Sequence, residues 1–275
     1  MLDYFCLQSQ PGDVPIYQNP ESNITLTISG IGKSAAAAAV ALARDHFKAD
    51  RSHAWLNLGI AGHATLPVGQ AVIIKKVTAA GSGQSWYPSR VFTTSLPAHD
   101  LLTLDKPDSN YREELFDMEC AGFFQVVTGF ATLELVQAVK IISDNADQPM
   151  DGVNPALISR LMKQNLPAIE EIIQQLLALA KLQQQLNDRG ADYHAIMRRR
   201  HFTASQRYQL QAALRKWRAL HPGDTGLAER LAGKKSAIEI LRFLQDELGQ
   251  TPIRFEDTES TEAKKCRAAL LQDDD

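Results

Sequence analysis

Four apolar runs in the first 145 residues stop on glycine or on a carboxylate, and this feature most narrows what the chain can fold into. NITLTISGIGKSAAAAAVALARDHF alternates Ile24, Leu26 and Ile28, breaks at Gly30 and Gly32, and opens an alanine-rich helix near Ser34. AWLNLGIAG ends in Gly59 and Gly62, and QAVIIKKV from Gln70 supplies a further strand. LFDMECAGFFQVV begins as a strand and continues as a helix, while VQAVKIISDNAD gives a last buried strand ending at Ser143 and Asp144. Strands apolar on both faces and separated by helices predict an α/β fold, a mostly parallel twisted sheet flanked by helices. Ligands of such sheets bind beyond the carboxyl ends of the strands, where Gly30, Gly62, Asp117, Glu119 and Asp144 fall. Asp117 and Glu119 sit two apart in an otherwise apolar run. Burying an ionised carboxylate costs several kcal/mol unless something pairs with it, so the pair is expected to face a shared crevice.

From Pro155 the pattern turns helical. Ile158, Leu161, Ile169, Ile172, Leu176 and Leu179 recur at helical spacing, with Pro167 expected to kink or restart the helix. Residues 1–186 carry 13 Lys and Arg against 18 Asp and Glu, and residues 187–275 carry 16 against 14. The balance changes where the pattern does, so residues 187–275 are read as a helical C-terminal extension. Thr203 and Gln206 form a capping-box pattern within it, and its last fifteen or so residues, an acidic tail ending in Asp273 to Asp275, are expected to be disordered.

Several functional classes are excluded. Cys6, Cys120 and Cys266 are odd in number and widely spaced, which argues against a disulfide framework or a zinc site and for a cytosolic setting. The seven histidines show no metal-ligand spacing, and nothing in the sequence requires a metal or another cofactor. The chain has no apolar stretch of about 18 residues and no signal-peptide pattern, so neither membrane anchoring nor export is expected. GIGKS lacks the earlier glycine of a phosphate-binding P-loop, with Thr27 at that position. Gly30, Gly32 and Ala35 match G-x-G-x-x-A, but the next strand ends NLGIAG, without the acidic residue that would hold a ribose hydroxyl. A tight turn with close helix packing is the simpler reading of these glycines.

Taken in order, SGIGKSAAAAAVAL, NLGIAG followed by LPVGQAVIIKKV, FDMECAGFFQV and VKIISDNAD resemble the purine nucleoside phosphorylase and nucleosidase superfamily, in particular its methylthioadenosine/S-adenosylhomocysteine nucleosidase branch. The resemblance covers about residues 20 to 186 and implies a small-molecule nucleoside ligand; dimers are common in the family. It implies that Glu119 accepts hydrogen bonds from the ribose hydroxyls and that Met118 packs against the sugar. Asp144 would be the proton donor to the purine leaving group, with Ser143 beside it, and the backbone of Ile60, Ala61 and Gly62 would approach the base and sugar. The chemistry agrees. A carboxylate with two acceptor oxygens suits a vicinal diol, and departure of a purine is assisted by an acid. Taken singly, Asp144 with Asn145 also reads as a helix cap, and Glu119 as a first-turn residue favoured by the helix dipole.

The resemblance has a gap. Family members carry an acidic residue after the first strand, in a phrase like A-M-x-x-E, to activate the attacking water. Here YFCLQSQPGD supplies Gln8 and Gln10, then Asp13 after a proline. TAAGSGQSWYPSR, with Arg90 late, lacks the arginine-bearing glycine loop of the phosphorylase branch, so hydrolysis is favoured over phosphorolysis. Trp86, Tyr87, Phe92 and Tyr111 are candidates to stack on a base, or to cover the core. A second reading is a catalytically impaired nucleoside-binding module. Residues 198–218 hold seven Arg and Lys, no acidic residue, and Phe202, Tyr208 and Trp217, a pattern that suits nucleic acid or an acidic protein partner as well as a solvated helix face.

Overall fold

The computed structural model describes residues 6–10, 14–19, 21–187 and 189–251. The chain divides after Asn187 into two compact units.

The first unit opens with an antiparallel meander of β1 (Cys6–Ser9), β2 (Ile16–Gln18) and β3 (Thr25–Thr27). After α1 (Lys33–Phe47) come β4 (Trp55–Gly62), β5 (Ala71–Ala79), β6 (Ser85–Trp86), β7 (Ala98–Thr103) and β8 (Leu115–Asp117). α2 (Cys120–Val127) leads through a 3-10 turn at Leu133–Leu135 into β9 (Val136–Asp144). A second 3-10 turn, Met150–Gly152, precedes α3 (Pro155–Gln164) and α4 (Leu166–Asn187). The second sheet runs β6-β5-β7-β8-β4-β9, and β5 also pairs with β9, which closes five of its strands into a barrel-like ring.

This corrects the expectation of a mostly parallel twisted sheet. β4–β9, β5–β7 and β7–β8 are parallel, but β4–β8 and β5–β9 are antiparallel. Connection length accounts for the reversal of β5. A parallel neighbour needs a crossover of a dozen or more residues. Residues 63–70 are too few to carry the chain back, so β5 returns antiparallel, against β9.

All nine residues of β9 are buried, and its two faces serve different layers. Val136, Ala138 and Ile142 join Ala36 and Val40 of α1 and Phe124 of α2. Ile141 meets Leu161 and Ile169, and Val139 meets Ile172 and Leu176, from α3 and α4. α1 and α2 approach so closely that a Cβ on Gly122 would stand 2.0 Å from the Lys33 carbonyl oxygen, a contact that only glycine allows. Asn154 caps α3, its Oδ1 accepting from the Leu157 amide at 3.0 Å with Pro155 in the first turn. The break between α3 and α4 falls at Asn165, and Pro167 takes the second position of α4, where its missing N–H matters least.

The second unit contains α5 (Gly190–Arg199), α6 (Ala204–Leu220), α7 (Leu227–Arg230) and α8 (Ala237–Gln250) around a core that includes Phe202, Leu210, Trp217, Leu227 and Leu244. Thr203 and Gln206 form the capping box of α6. The acidic end of the chain and Asp13 lie outside the described residues.

Candidate functional site

Asp144 ends β9 and is 4% exposed. The β4–β9 register pairs Ala61 with Ile142 but Gly62 with Asp144, a bulge that leaves Ser143 as the extra residue. Bulges re-aim side chains, and here the Ser143 hydroxyl reaches Asp144 Oδ1 and lies 3.3 Å from the Ala61 carbonyl oxygen. Gly62 also pairs with Phe116 of β8. A Cβ on Gly62 would stand 2.4 Å from the Phe116 ring and 3.0 Å from Asp144 Oδ2, so glycine is what lets β4, β8 and β9 meet here. Asn145 is not a helix cap. Its Oδ1 accepts from the Asp147 and Gln148 amides and its Nδ2 donates to the Leu66 carbonyl, which folds the chain back directly after Asp144.

Asp117 and Glu119 part company. Asp117 turns into the core, where its carboxylate lies 2.8 Å from Lys140 Nζ, both side chains being 1% exposed. It also accepts from Thr103 Oγ1 at 2.7 Å and from the Cys120 amide at 2.9 Å. The expectation that both carboxylates face one crevice therefore fails for Asp117, which finds its counter-charge inside. Lys140, four residues before Asp144 on β9, was missed in sequence because the run around it is apolar. Burial pushes the Lys140 ammonium towards the neutral form, but Asp117 outweighs it and its pKa is raised. Gly59 makes the room, since a Cβ there would be 2.9 Å from Nζ.

Glu119 is the N-cap residue of α2 and is half-buried, as is Met118. Its Oε1 accepts from the Gly32 amide at 2.7 Å and its Oε2 from the Met118 amide at 3.3 Å. Gly30 and Gly32 both have positive φ, 79° and 96°, and their turn aims the Gly32 N–H at the carboxylate. The glycine pair is thus a tight turn whose free amide serves Glu119. Two of the roughly four lone-pair sites of a carboxylate are taken, leaving acceptor capacity for a ligand. Ile60 is half-buried and Ala61 is buried, opposite Ile141 and Ile142 of β9.

No family model and no curated protein matches the chain. Nucleosidases are among the solved structures that match. The 5'-methylthioadenosine/S-adenosylhomocysteine nucleosidase of Colwellia psychrerythraea, in complex with adenine, is 19% identical and matches over 64% of this chain and 86% of its own, at a TM-score of 0.47. That of Neisseria meningitidis, in complex with methylthio-immucillin-A, is 18% identical over 63% and 89%, also at 0.47. A futalosine hydrolase mutant of Helicobacter pylori is 14% identical over 62% and 89%, at 0.45.

Two further residues belong to the neighbourhood of Asp144. Tyr111, a stacking candidate in sequence, instead donates its hydroxyl to Asp144 Oδ2 at 3.0 Å. His63 follows Gly62 and is buried, and its amide donates to the Asp144 carbonyl. Its Nδ1 accepts from the Thr65 and Leu66 amides, each at 3.0 Å, which assigns the ring proton to Nε2. A cavity of about 640 Å³ opens on Ser143 and is lined also by Gln148, Asn154, Leu157 and Arg160; Asp144 and Glu119 are not among its lining residues. No helix among the described residues is long and apolar enough to cross a membrane.

Proposed function

We propose that this site binds a purine nucleoside and hydrolyses its N-ribosyl bond slowly. One observation carries the reading: Gly62 pairs in register with both Asp144 and Phe116, so that three of the four motifs that resemble the nucleosidase branch meet at one end of the sheet. The fourth joins through the bond from the Gly32 amide to Glu119.

In this reading Glu119 accepts from the ribose hydroxyls with the acceptor capacity that Gly32 and Met118 leave free, and Met118 packs against the sugar. The backbone of Ile60, Ala61 and Gly62 approaches the nucleoside, and Asp144, beside Ser143, protonates the departing purine. Breaking the bond builds positive charge on the sugar, so protonating the base relieves the leaving group in the transition state. Hydrolysis also needs a group to take a proton from water, and β1 reads CLQS without a carboxylate. A positioned general base contributes about 100-fold to 10,000-fold, and turnover is expected to fall short of a fully equipped site by that factor. The basic residues of the helical unit offer a nucleic-acid reading less support, because Arg199, Arg200 and Arg207 donate to carbonyls of their own unit.

Calorimetry with adenosine and methylthioadenosine tests the binding role. Glu119→Gln keeps the shape and removes the charge, and is expected to weaken binding by about 1–3 kcal/mol. Unchanged affinity would take Glu119 out of the site. An adenine-release assay tests the acid: Asp144→Asn is expected to lower turnover by about 100-fold or more, and full activity in that variant would remove Asp144 from the reaction.

A further inference from the structure

We infer that Tyr111 is a positioning residue for Asp144, an inference that rests on the acid role just proposed. The phenol lies on the segment between β7 and β8 and touches two places at once. Its oxygen is 3.0 Å from Asp144 Oδ2 and 2.8 Å from the Met150 amide nitrogen. The amide can only donate, so it occupies a lone pair of the hydroxyl and leaves the single phenolic proton for the carboxylate. Ser143 meets the other oxygen, Oδ1. The carboxyl group is therefore gripped at both ends by hydroxyls, and rotation about its Cβ–Cγ bond would break two hydrogen bonds.

The segment bearing Tyr111 is fixed as well. The Ala64 amide donates to the Arg112 carbonyl at 2.9 Å, and the Ala146 amide donates to the Ala64 carbonyl at 3.2 Å, so residues 111–112 are tied to the exit of β4 and, through it, to the turn after Asp144. The Tyr111 ring lies 5.8 Å from that of Phe116, which packs against Gly62. The polar groups that face this carboxyl are Ser143 on its own strand and Tyr111 from the β7–β8 segment; the His63 amide, after β4, donates to the Asp144 backbone carbonyl, and Asp151 acts on the phenol. Burial pushes the phenol pKa up and the bond to Asp144 pushes it further, so Tyr111 remains a donor throughout the neutral range.

An acid must present its proton along the line to the leaving atom, and misplacement by about 1 Å can cost about 100-fold in rate. Phenylalanine would fill the space of the Tyr111 ring but could not hold the carboxyl. The inference thus concerns the hydroxyl alone, and Tyr111→Phe isolates it.

Two measurements decide. The first needs no ligand. Ultraviolet resonance Raman spectra at pH 7 report tyrosine hydrogen bonding, and the Tyr111 contribution is the difference between wild type and Tyr111→Phe. It is expected to read as a hydroxyl donating to a carboxyl oxygen. In the Asp144→Asn background, measured against the double variant, it is expected to read as a weaker donor. An identical signal in both backgrounds means that the bond does not exist in solution and overturns the inference. The second is steady-state purine-nucleoside hydrolysis: Tyr111→Phe is expected to lower kcat by about 10-fold to 100-fold with KM within about 2-fold. A kcat equal to wild type, or a loss confined to KM, also overturns it. If wild type shows no turnover, the nucleosidase reading fails, and the Raman arm still decides whether Tyr111 grips Asp144.

Discussion

In the α/β unit Lys140 and Asp117 meet at 2.8 Å with each side chain 1% exposed, whereas in the helical unit Arg230 and Asp224 meet at the surface with the arginine side chain 50% exposed. The buried pair ties β9 to the end of β8, and through the Cys120 amide to the first turn of α2. Those are the elements that carry Asp144 and Glu119. In the helical unit, arginine side chains hold backbone carbonyls instead. Arg199 donates to the Ala228 carbonyl, Arg200 to those of Ala232 and Lys234, and Arg207 to that of Phe202. Buried charge here holds geometry where a small error would matter; surface charge satisfies carbonyls of α7 and of the segments between helices.

The largest expected effect strikes the buried side of that contrast. Lys140→Met keeps most of the side-chain volume but leaves the buried Asp117 carboxyl without a counter-charge. Breaking a buried pair in this way costs about 3–5 kcal/mol, which denaturant unfolding of the full chain would register. Adding Asp117→Asn removes the stranded charge, while the amide oxygen can still accept from the Cys120 amide and the amide nitrogen can donate to the Thr103 hydroxyl, and most of the loss should return. If Lys140→Met is as stable as wild type, the pair does not hold the strands and the contrast collapses.

A smaller effect is expected in the helical unit. Thr203→Ala removes the side-chain half of the capping box of α6 and should cost about 1 kcal/mol. Hydrogen exchange measured on the whole chain separates the units: amides of α5 to α8 should exchange faster, and those of β4, β5 and β9 should not change. Uniform loss of protection across both units would show that their stabilities are not separate.

How much of this was legible in the sequence follows from how local each interaction is. The capping box needs Thr203 and Gln206 alone, three residues apart, and could be read directly. The passage from strand to helix in LFDMECAGFFQVV was also readable, since the period changes within the run. Closure of the sheet was not, because it rests on Ala71 to Ile73 finding Val139 to Ile141, far along the chain; only the short connection after β4 hinted at it. Ser143 and Asp144 could be placed at a buried strand end. Tyr111 could not be matched to Asp144, because its partner lies 33 residues away and nothing local marks the pairing. Lys140 is hidden for the opposite reason: its neighbours are so apolar that the run reads as a buried strand with no charge to place. A lone lysine in a strand buried on both faces implies a buried carboxylate, and Asp117 was the unexplained one.

The smallest effect concerns pH, where the two kinds of charge should respond at opposite ends of the scale. Asp224 accepts a hydrogen bond from Arg230 and another from the Trp217 indole N–H, and these hold its carboxyl below the usual range. A group whose folded pKa is depressed contributes stability above its unfolded value, near 3.8, and loses it as pH falls through the folded one. The helical unit should therefore loosen on acidification below about pH 4. Lys140 has a raised pKa, so its contribution is complete below the unfolded value of 10.5 and disappears as pH rises through the folded one. The α/β unit should loosen on the alkaline side. Trp217 fluorescence, followed in a chain with Trp55 and Trp86 replaced by phenylalanine, reports the helical unit during an acid titration. Asp224→Asn should flatten that response and leave the alkaline behaviour of β9 amides unchanged. An acid transition of the same size in the variant would mean that carboxylates other than Asp224 govern it, and would remove the surface pair from the comparison.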